Sequence, residues 1–323
     1  MARSAARTCT LAALLALGGA GGAGAQTGLD CARAATPVER AICGNAELLA
    51  ADRAVSASYA ALRRKLGGAA REHLAADQAR WLANRERACV GEPADVEDCL
   101  MGRDRDRAAL LVLLADGDYP FVSEQAIVRS GEARGIPYGI DASYPQFDGT
   151  QADFTAVNRK LATATAQAVA RVVPGPDADN GGGTPPEWRY EQAFTLYRPS
   201  DWTISVALVW ESYTGGTHST IGMSGTLVDL RTGAAVLPAD VFKPGDAWLR
   251  ELARLARADL KVPKLADMLK DTGRYIFLDD RLELSFNQYE GGPFTLTVPY
   301  EQLKTFLRPD GPIPPEAIAK ETP

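Results

Sequence analysis

The residue types that carry reactivity are few in this 323-residue chain: two histidines, His73 and His218, and five cysteines. Neither histidine sits in a nucleophile motif such as G-x-S-x-G, so acyl transfer by a Ser-His-Asp triad has no visible base. Asp279, Asp280 and Glu283 have the types for an acid/base pair or a cation site, but between two strand patterns they read as a hairpin turn. Gly181-Gly182-Gly183 runs into Thr-Pro-Pro and not into a helix start, so it is no phosphate cradle. The expectation is a protein that is not an enzyme, with no catalytic residues, no metal ligands and no cofactor.

Cys31, Cys43, Cys89 and Cys99 all fall in the first third of the chain, an even number without any C-x-x-C spacing. In an exported chain that pattern implies disulfides ahead of zinc. Four cysteines allow three connectivities; Cys31 with Cys43 and Cys89 with Cys99 are favoured because each pair brackets a turn beside a helix. The connection Tyr213 to Ser219 is the candidate contact site. Gly215 and Gly216 between two long strands permit positive φ, which leaves Thr217, His218 and Ser219 displayed at a tip. The plain alternative is a hairpin turn with no partner.

Helical periodicity runs from residue 26 to about 116. Thr36, Pro37 and Glu39 spell an N-cap, a first helical position and a capping box. Leu48, Val55, Tyr59, Leu62 and Leu66 share one face of the next helix, which Gly67-Gly68 ends. Leu74, Gln78, Trp81, Leu82, Arg85 and Cys89 share a face of a third helix, and Val96, Leu100, Arg103, Arg107, Leu110, Leu111 and Leu114 that of a fourth. Trp81 and Arg85, one turn apart, read as a core aromatic crossed by an arginine stem. Gln78 is expected to hydrogen-bond a neighbouring helix or backbone.

Near Asp116 to Pro120 the spacing changes to alternation. Strands are expected at Phe121 to Arg129, Ile136 to Ser143, Tyr190 to Tyr197, Thr203 to Tyr213, Thr220 to Leu230, Tyr275 to Leu278, Leu282 to Phe286 and Phe294 to Val298. Helices are expected at Asp153 to Val173 and Ala247 to Leu260, and a loop at Pro174 to Pro186. The fold class is therefore α+β: a disulfide-stapled helical N-terminal domain over 26–116, then an antiparallel sheet covered by helices over 117–323.

Residues 1–25 have the form of a secretory signal, with Arg3 and Arg7, a short apolar run and an Ala23-Gly24-Ala25 cleavage site. Cys9 precedes that run and lacks a lipobox. No stretch is long and apolar enough to span a bilayer, so a periplasmic or secreted location is expected. The chain carries 35 Lys and Arg against 41 Asp and Glu, a formal net charge of −6, and loses two arginines with the leader. That balance argues against nucleic acid and suits a cationic partner.

The residues Asp30-Cys31, Thr36, Glu39, Ile42-Cys43, Leu48, Asp52, Tyr59, Gln78, Trp81, Arg85, Cys89 and Cys99 together resemble the LprI-type lysozyme-inhibitor family over about 85 residues. Most of 119 to 307 resembles the lysozyme-sensing extracellular domain of RsiV-type anti-sigma factors, shared with PdaC-type deacetylases. That likeness rests on Tyr213 to His218, on Leu227 to Gly233, and on Asn287 to Pro293 leading to Val298-Pro299-Tyr300. The sigma-binding region and the deacetylase domain of those families are lacking. The resemblances imply binding of a lysozyme-type cationic protein by cleft occlusion; peptidoglycan or muropeptide is the alternative ligand, with Trp188, Tyr190, Tyr197 and Trp202 as available aromatics.

Overall fold

The computed structural model describes residues 29–89, 96–115, 121–148, 151–176, 178, 186–259, 265–286 and 295–313. The expected leader, the boundary at 116–117 and the Asn287 to Pro293 motif lie outside these residues. No helix among the described residues is long and apolar enough to cross a membrane.

Four helices open the chain: α1 (Pro37–Gly44), α2 (Ala46–Lys65), α3 (Gly68–Cys89) and α4 (Val96–Ala115). The capping box at α1 forms as its sequence requires, with Thr36 Oγ1 accepting from Glu39 N and Glu39 accepting from Thr36 N. Asn45 caps α2 through Glu47 N and Leu48 N. Both favoured disulfides are present, Cys31–Cys43 and Cys89–Cys99, with Cα atoms 5.5 and 5.6 Å apart. The second encloses a small apolar cluster of Val38, Ile42, Leu48, Cys89 and Leu100 at one end of the bundle.

A six-stranded sheet follows in the order β1 (Phe121–Ala133), β2 (Ile136–Asp148), β3 (Trp188–Ser200), β4 (Thr203–Tyr213), β5 (Thr220–Asp229) and β6 (Ala235–Val236). Helix α5 (Thr155–Val172) makes the crossover between β2 and β3, and these two strands pair in parallel. Helices α6 (Pro238–Val241), α7 (Ala247–Asp259) and α8 (Leu265–Met268) lead into a second sheet of β7 (Tyr275–Phe277), β8 (Arg281–Ser285) and β9 (Thr295–Pro299), closed by α9 (Tyr300–Leu303). The α+β class expected from the sequence is what the chain adopts. Two details differ: the strands divide into two sheets, and one pair is parallel. Parallel pairing follows from the long crossover, since a helix between strands returns the chain in the same direction.

The layers share cores. Val55, Tyr59, Leu62, Leu74, Trp81, Leu111 and Leu114 of the helices join Val122, Phe147, Val157, Leu161, Ile204, Val206 and Val228 in one cluster, so the bundle is seated on the sheet. Strand alternation sends Leu227 the other way, into a cluster with Phe242, Leu252, Tyr275, Phe277 and Val298. The two sheets approach closely where β5 has no side chain. A Cβ on Gly225 would lie 1.9 Å from the Tyr275 carbonyl oxygen. Two bonds fasten the contact: Phe277 N donates to Ser205 Oγ at 3.2 Å and Ser285 Oγ to Met223 O at 2.8 Å.

Gly225→Ala therefore forces β5 and β7 apart. The expected cost is about 1–3 kcal/mol of overpacking, read as a lower melting temperature by circular dichroism; an unchanged melting temperature would show that the sheets part freely.

Candidate functional site

Helices α2, α3 and α4 present ionic side chains to one another where apolar ones would be ordinary. Arg85 Nη1 donates to Asp104 Oδ1 at 2.7 Å and to Asp52 Oδ1 at 3.0 Å. Arg107 Nη2 donates to Asp77 Oδ2 at 2.7 Å and to Gln78 Oε1 at 2.8 Å, with Nε reaching the same Gln78 oxygen. Both guanidinium carbons stand over the Trp81 ring, that of Arg85 at 4.9 Å and that of Arg107 at 5.5 Å. All seven residues are buried. Burial pushes the Asp104 carboxyl above the usual carboxylate range, against the pull of Arg85.

This network also holds the bundle to the sheet. Asp77 Oδ1 accepts from Glu124 N of β1 at 2.7 Å, and Arg80 donates to the Glu124 carbonyl. Lys65 Nζ donates to the Ala115 carbonyl and ties the ends of α2 and α4. Burial raises the Glu124 carboxyl too, opposed by Arg107 and aided by Asp77.

Trp81 with Arg85 is thus the core pairing the spacing suggests, and Gln78 bonds a neighbouring helix. Asp77 and Asp104 escaped the sequence reading. The available signal was physical: two arginines on inward faces require carboxylates on the helices they face, and Asp104 and Asp77 supply them from across the bundle.

The connection Tyr213 to Ser219 joins β4 to β5 and has the geometry its glycines allow. Gly215 and Gly216 sit at φ 95° and 105°, and Tyr213 Oη donates to the Gly216 carbonyl at 3.0 Å, closing the turn. Thr214, Gly216, Thr217 and His218 are exposed, while Ser219 is half-buried. A Cβ on Gly215 would stand 3.8 Å from the Trp188 indole nitrogen, so the loop leans on β3.

The remaining candidates are placed differently. Asp279 and Asp280 form the turn between β7 and β8, where Asp280 and Glu283 both engage Arg281. No group of three or more His, Cys, Asp or Glu among the described residues is placed to hold a metal. Tyr190 is buried and donates to Gln192 at 2.8 Å. The Trp202 ring is capped by the Arg231 guanidinium at 3.5 Å, and Asp229 holds that arginine at 2.7 Å. Tyr190 is thus closed to a sugar ring, and one face of Trp202 is taken by Arg231. In the Leu227 to Gly233 motif, a Cβ on Gly233 would collide with the Asp153 carbonyl, so the turn packs closely on the chain ahead of α5 while Arg231 and Thr232 stay exposed.

Residues 31–111 match the family model described as Lysozyme inhibitor LprI. The match takes in all four paired cysteines and the whole Arg85, Arg107 and Trp81 network. No curated protein matches the chain in sequence. Among solved structures, the chain is similar to a DUF3298 family protein of Pseudomonas aeruginosa PAO1, with 18% identity, a TM-score of 0.42, and coverage of 59% of this chain and 96% of that one. It is also similar to a DUF3298 family member of Bacteroides fragilis NCTC 9343, with 15% identity, a TM-score of 0.39, and coverage of 62% and 98%.

Two tests follow from the network. Arg107→Met removes the buried partner of Asp77, leaving it the longer Arg80 contact at 3.7 Å, and is expected to destabilise by about 3 kcal/mol, seen as a shifted denaturant midpoint. The pH effect at Glu124 has the opposite sign to that of a salt-bridged carboxylate. Its folded value lies above the ordinary one, so its contribution is complete below about pH 4.5 and is lost as pH rises through the raised value. Glu124→Gln is therefore expected to gain stability over the parent at pH 7 and to match it in acid; a gap independent of pH would show that Glu124 ionises normally.

Proposed function

We propose that the chain is an exported protein that binds a lysozyme-type muramidase and inhibits it by occupying its cleft. The observation that carries this reading is the match of residues 31–111 to the lysozyme-inhibitor family. The resemblance of the second segment to lysozyme-sensing extracellular domains favours the same partner. Paired cysteines suit an oxidising compartment outside the cytoplasm, in line with the leader-like first 25 residues. The acidic excess falls almost entirely beyond residue 116, which gives the sheet segment the charge that draws a cationic enzyme.

The mode of inhibition is steric. Glycoside hydrolysis by lysozyme needs two carboxylates, one of them held protonated, at the floor of an open cleft. A narrow loop bearing Thr217, His218 and Ser219 supplies hydrogen-bond donors to such carboxylates and leaves no scissile bond between them. Trp188, Tyr190 and Trp210 pack beside the loop's base, which limits the ordering entropy lost on docking.

Purified protein is expected to slow lysozyme-driven clearing of a cell-wall suspension, more weakly as salt rises. His218→Ala with Ser219→Ala is expected to weaken inhibition by several-fold. A change within about twofold, near 0.4 kcal/mol, would remove the loop as the anchor, and full clearing at any inhibitor concentration would remove the lysozyme reading.

A further inference from the structure

The six-stranded sheet has one face covered and one face open over much of its width. On the covered face Ile140, Ala142 and Tyr190 pack against α5, with Trp210 beside them. On the other, among the described residues, the small sheet seals the region around Ser205, Ala207, Met223, Gly225 and Leu227. Beyond that seal the described residues leave side chains in solvent. Val128, Val209 and Ile221 are 39, 37 and 41% exposed, three of the five large exposed hydrophobics among the described residues.

Strand register puts them together with charge. Val128 stands opposite Asp141, Asp141 opposite Glu191, Glu191 opposite Glu211, and Glu211 opposite Ile221. Three carboxylates thus form a row across adjacent strands, with an exposed aliphatic residue at each end. The row spans four strand spacings, about 19 Å. In the next row Val209 follows Ala193. None of the three carboxylates is in an ion pair among the described residues, and the nearby Arg189 is drawn to Glu187 at 3.7 Å. Like charges directly opposite one another weaken a sheet. An opposing cation reverses that sign.

We propose that this open face, continuous with the Tyr213 to Ser219 loop, is the docking surface for a folded cationic protein. Lysine and arginine side chains of the partner meet Asp141, Glu191 and Glu211, and its apolar rim covers Val128, Val209 and Ile221. Charge complementarity selects this occupant. A second copy would bring the same acids face to face, and anionic membranes or nucleic acids would be repelled. The identity of the cationic protein as a lysozyme rests on the function proposed above, whereas the face itself does not.

The test compares the parent with Glu191→Lys plus Glu211→Lys, and with Val209→Ser plus Ile221→Ser, for binding to egg-white lysozyme and to cytochrome c. Salt is kept at about 50 mM, where screening is weak. Melting curves confirm folding, and Glu191→Gln plus Glu211→Gln serves if the charge reversal unfolds the chain. Charge reversal is expected to weaken lysozyme binding by tenfold or more, the serine pair by at least threefold, and the glutamine pair by an intermediate factor. Lysozyme binding by the reversed or glutamine variant within twofold of the parent would overturn the docking face and leave the lysozyme reading intact. Equal binding of cytochrome c, lost on reversal, would uphold the face and sink the lysozyme reading. A parent that binds neither cation would overturn both.

Discussion

An arginine taken out of water must be met by carboxylates or amides, because stranding such a charge costs several kcal/mol. In this chain that requirement is satisfied twice along α3, by Asp52 and Asp104 around Arg85 and by Asp77 and Gln78 around Arg107. Trp81 lies under both guanidinium groups and turns a polar layer into a packed one. The spare oxygen of Asp77 reaches the β1 backbone, so the group that orders the bundle also fixes the sheet's edge. The segment that matches the family model is thereby continuous with the sheet that carries the Tyr213 to Ser219 loop.

Close backbone approach is the second constraint. Gly225 lets the small sheet lie directly on β5, and Gly233 lets the turn after β5 touch the chain before α5. Among the described residues the central strands are therefore buried on both faces near β7, and the half towards the Tyr213 to Ser219 loop keeps side chains in solvent. The display surface is what remains after the covering sheet has been placed.

Much of this was legible in the residues. The capping box at Thr36, the helix face from Leu48 to Leu66, both disulfide pairs and the φ > 0 glycines before Thr217 depend on near neighbours, and local spacing encodes near neighbours well. Four of the residues that carry the family resemblance of the first segment, Asp52, Gln78, Trp81 and Arg85, also belong to the buried network. What the sequence withheld depends on distant pairing. Asp77 and Asp104 are polar residues on helices and look like surface until their arginine partners are seen across the bundle. The division into two sheets and the parallel β2–β3 pair arise from how α5 and α7 return the chain, which no strand's own composition records. For the same reason Asp141, Glu191 and Glu211, spread over 70 residues, become one row only once the register is known.

The ionic layer of the bundle also sets how the helices can move. Apolar helices slide past one another through a series of similar packings, whereas here a shift of α4 by one turn, about 5.4 Å, would break both the Arg85–Asp104 and the Arg107–Asp77 bonds. The bundle consequently has a single seating, like a key with one notch, and α3 carries that seating through Asp77 and Arg80 to the first strand of the sheet.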